Sequence, residues 1–110
     1  MIYDHRTYTC RPGTIKKQMK LYEEYGWNPQ LKYLGQPIVY GTTETGDVNS
    51  YTHIWVYKDA ADRSAKRARM GADPEWQKFV KLSAEAGYLV SQVNKILAPA
   101  PFFNPPTQPE

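Results

Sequence analysis

Apolar and polar residues are mixed from Ile2 to Cys10 in a run rich in β-branched and aromatic types, which predicts a first strand. Arg11-Pro12-Gly13 stops it. From Thr14 the period lengthens: Ile15, Met19, Tyr22 and Gly26 fall on one helical stripe, with Lys16, Lys17, Lys20 and Glu24 opposite. Asn28-Pro29 marks a break or restart, and Gly35-Gln36-Pro37 closes the segment. Strand-forming types return in a second strand, Pro37 to Thr43, and a third, residues 50–57. The turn-forming Glu44-Thr45-Gly46-Asp47 joins these two into an antiparallel hairpin.

Asp59 to Ala72 reads as a helix whose only apolar stripe is Ala61, Ala65, Ala68 and Ala72, small residues that would lie close to a neighbour. Asp73-Pro74 supplies an N-cap and a first-turn proline for a new helix. Its buried stripe is expected at Trp76, Phe79, Val80 and Ser83, and Gly87 fits the position that ends it. Tyr88 to Leu97 is the fourth strand. Residues 98–110 hold five prolines and form an extended tail beyond a single domain over 1–97.

The order β-α-β-β-α(α)-β is satisfied most economically by an α+β, ferredoxin-like fold, a four-stranded antiparallel sheet with helices on one face. Strand alternation then sorts side chains by face. In strand three, Tyr51, His53, Trp55 and Tyr57 oppose Thr52, Ile54 and Val56; in strand one, Asp4, Arg6 and Tyr8 oppose Tyr3, His5 and Thr7. Charges packed against helices are costly unless well paired, which places Asp4, Arg6, Tyr8 and their aromatic neighbours on the face away from the helices. An aromatic face left bare calls for a partner sheet, so a homodimer is expected.

Composition narrows the class. At 110 residues with 41% hydrophobic and 23% charged residues, the chain is an ordinary globular domain. No apolar run is long enough to span a bilayer and no signal peptide is visible, so no membrane association is expected. The lone Cys10 and two histidines are a poor supply for zinc, and a reducing cytoplasm is the expected compartment. No metal or cofactor is expected, and there is no phosphate loop or dinucleotide fingerprint. Fourteen basic residues against 11 acidic ones give a net charge of +3, which permits nucleic-acid binding without arguing for it. Arg63, Lys66, Arg67 and Arg69 read as a solvated helix face laced by Asp59–Arg63 and Asp62–Lys66 pairs. An RNA-recognition motif shares the element order, but strand three lacks the basic-aromatic signature such a domain carries there. The unusual entry is nine tyrosines, three tryptophans and three phenylalanines, residues that suit the walls of pockets and interfaces.

Several motifs, in order, resemble a NIPSNAP domain. They are Tyr3-Asp4-His5-Arg6-Thr7-Tyr8-Thr9 with Arg11-Pro12-Gly13; His53-Ile54-Trp55-Val56-Tyr57 with Asp59 and Ala61-Asp62-Arg63; Asp73-Pro74-Glu75-Trp76; and Asn94-Lys95-Ile96-Leu97 with Pro99 and Pro101-Phe102. The resemblance spans roughly residues 2–103. It departs at Asp4, where a glutamate is usual, and at His5, where an aliphatic residue is usual. It implies the dimeric α/β-barrel superfamily, in which two ferredoxin-like protomers pack their sheets face to face. Small relatives are mostly uncharacterised; longer ones are linked to mitochondria and vesicle processes. The superfamily also holds cofactor-free monooxygenases, haem-degrading enzymes and lactone isomerases, among which fold alone does not choose.

The candidate site is His53 as acid/base and Arg6 as electrostatic stabiliser, with Tyr8, Trp55, Tyr57 and Tyr40 as walls for a flat organic substrate. The competing reading makes these residues a dimer core, with Arg6 paired to Asp4 or to a partner carboxylate. His5, assigned to the helix side with Tyr3, Tyr22 and Trp76, marks a second place for a ligand, or else a hydrogen-bonded core residue. Gln92 and Asn94 would orient a carbonyl or serve local hydrogen bonds. Cys10 has no histidine nearby in sequence to activate it. Two functions follow: a homodimer that binds or transforms a small aromatic or hydrophobic carbonyl compound by cofactor-independent proton transfer or oxygenation, or a non-catalytic dimeric interaction module with no ligand-sized cavity.

Overall fold

A computed structural model of the chain describes residues 1–105. Strand β1 covers Ile2–Cys10, followed by helices α1 (Ile15–Tyr25) and α2 (Trp27–Leu34). Then come β2 (Val39–Thr42), β3 (Ser50–Tyr57), α3 (Ala60–Gly71), α4 (Pro74–Ala86) and β4 (Leu89–Leu97). The sheet is antiparallel throughout with order β2-β3-β1-β4, the ferredoxin-like arrangement. The last five residues of the expected tail, 106–110, lie outside the described part.

Local chemistry sets the boundaries. The Asp59 carboxylate accepts from the Asp62 N–H at 2.8 Å and caps α3; Asp73 accepts from the Glu75 N–H at 2.8 Å and caps α4, with Pro74 in its first turn. Gly87, at φ 65°, ends α4 in the left-handed conformation. Where the sequence shows a break at Asn28-Pro29, the chain starts a second short helix, because a proline is tolerated in a first turn.

Facing residues across the strands fix what shares a side. Tyr40, His53, Arg6 and Asn94 form one row across all four strands, and Trp55, Asp4 and Ile96 form the next. This side meets the helices. Asp4 and Trp55 are fully buried, and Tyr51, His53 and Tyr57 nearly so. The expected face assignment is therefore reversed: His5, with Tyr3 and Thr7, lies on the side away from the helices, beside Ile54, Val56 and Val39. The core gathers Leu34 from α2, Met70 from α3, and Trp55 and Tyr57 from β3.

Helix α3 is also turned from its expected phase. Ala61, Ala65, Ala68 and Ala72 are exposed, whereas Met70 is buried and Arg63, Lys66 and Arg67 are half-buried. An alanine stripe has little apolar area to gain by burial. Arg63 instead reaches the Asp4 carboxylate, and Lys66 keeps its i,i+4 pair with Asp62 at 3.1 Å.

Gly26, between α1 and α2, is a point of close approach. A Cβ there would lie 2.7 Å from Tyr22 Cδ2 and 3.1 Å from Phe79 Cγ. Substitution G26A should destabilise the protein by about 1–3 kcal/mol through overpacking. Urea unfolding measures this; an unchanged midpoint would show that Tyr22 and Phe79 yield freely.

Candidate functional site

Between the helix-facing side of the sheet and the helices lies a cleft of about 480 Å³. β1 contributes Arg6 and Tyr8, β2 Tyr40, β3 Tyr51 and His53, and β4 Leu89 and Gln92. Gln18 and Tyr22 come from α1, Gln30 from α2, Arg67 from α3, and Trp76, Phe79 and Ser83 from α4. Strand alternation and pairing bring the strand residues together, since Tyr40, His53 and Arg6 stand opposite one another on three neighbouring strands.

The floor of the site is ionic. Asp4, with no exposed surface, accepts from Arg6 Nη1 at 3.1 Å and from Arg63 Nε at 3.0 Å, and Asn94 Nδ2 lies 3.5 Å from its other oxygen. Burial pushes the Asp4 carboxyl up, but the hydrogen bond from Arg63 and the charges of both guanidinia outweigh it and hold the pKa below the usual range. Arg6 also donates from Nε to the Tyr8 hydroxyl at 2.8 Å, which fixes the guanidinium plane.

His53 is 2% exposed. Its Nδ1 accepts from the Trp55 indole Nε1–H at 2.6 Å. An indole N–H only donates, so the neutral imidazole carries its proton on Nε2. That Nε2 lies buried at the cleft wall without a protein partner. Burial and the nearby Arg6 charge lower the His53 pKa to about 3, so at neutral pH the ring presents an N–H donor and not a base.

Aromatic rings enclose the remainder. Tyr40 stacks on His53 with centroids 4.7 Å apart and on Tyr22 at the same distance, and Phe79 meets Tyr22 edge-on at 5.6 Å. The Tyr22 hydroxyl donates to Gln30 Oε1, and Gln18 Nε2 donates to the Tyr51 hydroxyl at 3.4 Å, leaving Gln18 Oε1 buried and unpartnered. Burial raises the phenols of Tyr22, Tyr40 and Tyr51, which stay protonated.

Of the residues singled out in the sequence, Arg6, Tyr8, Tyr40 and His53 line the cleft together. Trp55 sits behind His53 as its hydrogen-bond donor, and Tyr57 lies in the core beside Leu34 and Met70. His5 and Tyr3 belong to the opposite side, while Tyr22 and Trp76, grouped with them in the sequence, line this cleft. Gln18, Gln30, Tyr51 and Arg67 are additional wall residues. Gln18 and Tyr22 are four apart on α1, a helical spacing that puts a polar and an aromatic group on one inward face.

The NIPSNAP family model matches residues 3–104. The chain belongs to the NIPSNAP family. A solved NIPSNAP family protein of unknown function from Agrobacterium tumefaciens is 35% identical, with a TM-score of 0.84 over 94% of this chain and 91% of that one. An uncharacterized NIPSNAP domain protein from Burkholderia xenovorans is 31% identical, with a TM-score of 0.86 over 96% of this chain and all of that one (100%). An antibiotic biosynthesis monooxygenase shares the fold at a TM-score of 0.63 and 16% identity, over 92% of this chain and 100% of that one. No curated protein matches the sequence. Among the described residues of this NIPSNAP protein, no helix is long and apolar enough to cross a membrane.

The His53 arrangement has a pH signature. An unfolded imidazole takes up its proton near 6.5, the folded one only near 3, so between these values the unfolded state binds more protons. Stability should be whole above about pH 6.5 and fall as pH is lowered toward 3, by up to about 1.4 kcal/mol per pH unit. In His53→Asn, whose amide oxygen can still accept from Trp55, that slope should be shallower by His53's share. Urea unfolding at about pH 4.5 and about pH 7.5 compares the two proteins, and equal slopes would mean that His53 ionises freely in the fold.

Proposed function

We propose that this NIPSNAP protein is a homodimer whose cleft binds a small, flat aromatic or hydrophobic carbonyl compound and polarises its oxygen. The observation that carries this reading is the buried, unpartnered His53 Nε2–H on the wall of an aromatic cleft. A buried donor without an acceptor is costly, and a ligand oxygen would relieve it. Arg6, held in place by Asp4 and Tyr8, stands beside His53 in the same cross-strand row and would stabilise negative charge building on that oxygen. Oxyanion stabilisation of this kind serves both proton transfer and oxygenation of an enolisable carbonyl compound. The interaction-module reading expects no ligand-sized cavity, so the 480 Å³ cleft favours the binding reading.

Support for the dimer comes from the other side of the sheet. Tyr3, His5, Thr7, Ile54 and Val56 have no helix over them, and Val39, Val93 and Leu97 are 44%, 58% and 43% exposed. A partly apolar sheet face with these exposed valines and leucine suits a second copy of the same face, although Met1 and Phe103 lie along its Tyr3 end. The single thiol, buried at Cys10, suits a reducing compartment such as the cytoplasm.

Two measurements test the reading. Calorimetric titration with 2-acetylnaphthalene should show binding that His53→Asn weakens about tenfold, the worth of one well-placed hydrogen bond in a dry site. Absence of binding to the unsubstituted protein would remove the ligand reading. Sedimentation equilibrium should give twice the 12.7 kDa chain mass, and Ile54→Lys, at the centre of the open face, should give the monomer. A monomeric unsubstituted protein would remove the dimer.

A further inference from the structure

We propose that the cleft is an anion site, with Arg67 of α3 as the anchor for a carboxylate carried by the aromatic ligand. The inference rests on the ligand reading above and assigns the chemical class of what binds. Two arginines, Arg6 and Arg67, line the cleft, and no aspartate or glutamate does. The nearest buried carboxylate, Asp4, is shared between Arg6 and Arg63, so this cluster of one anion and two cations keeps one positive charge. Arg67 adds a second, because among the described residues no carboxylate pairs with it. An unpaired, half-buried guanidinium is a planar fork of donors suited to a carboxylate.

Independent observations point to the same ligand. His53 Nε2–H is a nine-tenths-buried donor without an acceptor, and Arg6 has bonded Nε to Tyr8 and Nη1 to Asp4, so its Nη2 has no protein partner among the described residues. The unmet groups at His53 and Arg6 are thus N–H donors, and the buried, unpartnered Tyr57 hydroxyl beside Arg67 can donate as well; an oxyanion is the complement of donors. His53 has its Nδ1 occupied by the Trp55 indole, and burial holds the phenols of Tyr22, Tyr40 and Tyr51 protonated. A ligand with a carboxylate brings its charge with it and needs no base. On the other flank, Gln18 Oε1 is buried without a donor, so a hydroxyl or amide N–H on the aromatic frame would add a contact there. Arg67 also stands beside the Tyr57 phenol, which burial raises and the guanidinium only partly offsets. That neighbour is neutral and leaves the positive charge uncompensated.

A matched pair of probes separates this inference from the reading beneath it. 2-Naphthoate and 2-acetylnaphthalene have nearly the same shape and differ in charge. In calorimetric titrations of the full chain, the naphthoate should bind about tenfold more tightly or better, the range of a charged hydrogen bond over a neutral one. Arg67→Gln should abolish that preference and leave the ketone within about twofold, while Arg67→Lys should retain part of it. Raising sodium chloride should weaken the naphthoate and not the ketone, a readout that needs no variant to fold. Binding of the ketone with no preference for naphthoate, or a preference that Arg67→Gln leaves intact, overturns the anion site while the ligand reading stands. Binding of neither probe overturns both.

Discussion

The structure depends on one carboxylate, Asp4, held between two guanidinia in the dry layer between sheet and helices. Burying a carboxylate with its two partly buried guanidinia is expensive, and the arrangement survives because each oxygen of Asp4 meets two donors. Once Asp4 is inside, everything that alternates with it follows. Arg6 and Tyr8 come inside on β1, and Tyr51, His53, Trp55 and Tyr57 come inside on β3. The same pair turns α3, because Arg63 must point inward, and that rotation brings Arg67 one turn later to the cleft.

Much of this was legible in the sequence. Strand and helix limits follow from caps, prolines and glycines whose chemistry is local, so Asp59, Asp73-Pro74 and Gly87 stand where their side chains predict. The membership of Arg6, Tyr8, Tyr40 and His53 in one site was also legible, because alternation and hairpin pairing are short-range rules. Which side of the sheet they occupy was not. That choice turns on whether a buried Asp4 finds a partner, and Arg63 lies 59 residues away. A cost argument without the partner gives the opposite answer. The phase of α3 failed for the same reason: alanines define a stripe but contribute little by being buried, and the ion pair decides. Gln18 and Gln30 carry the weakest local signal, since a buried amide is recognisable only by the neighbours it meets.

Family and fold reach different distances here. The NIPSNAP match covers residues 3–104, and the tertiary agreement with relatives near one-third identity is close. Likeness to a monooxygenase at 16% identity speaks for the architecture alone. What the cleft does must be read from its own atoms. Those atoms include two guanidinia and an imidazole N–H set in an aromatic wall, with the imidazole tautomer chosen by a tryptophan two residues along on the same strand face.

The Asp4 cluster has a further consequence for how the sheet assembles. The period of a strand is two, so sliding β1 by one residue against β3 and β4 would exchange its two faces completely. Tyr3, His5 and Thr7 would then face the helices, Asp4 would sit on the side away from them, and Arg63 would be left half-buried with no anion to meet. An apolar strand would tolerate that slip at the cost of some packing; this one is penalised by an unpaired charge. The residue that looks most out of place in the interior thus favours one alignment of the strands over its one-residue neighbour, because only that alignment gives Arg63 its anion.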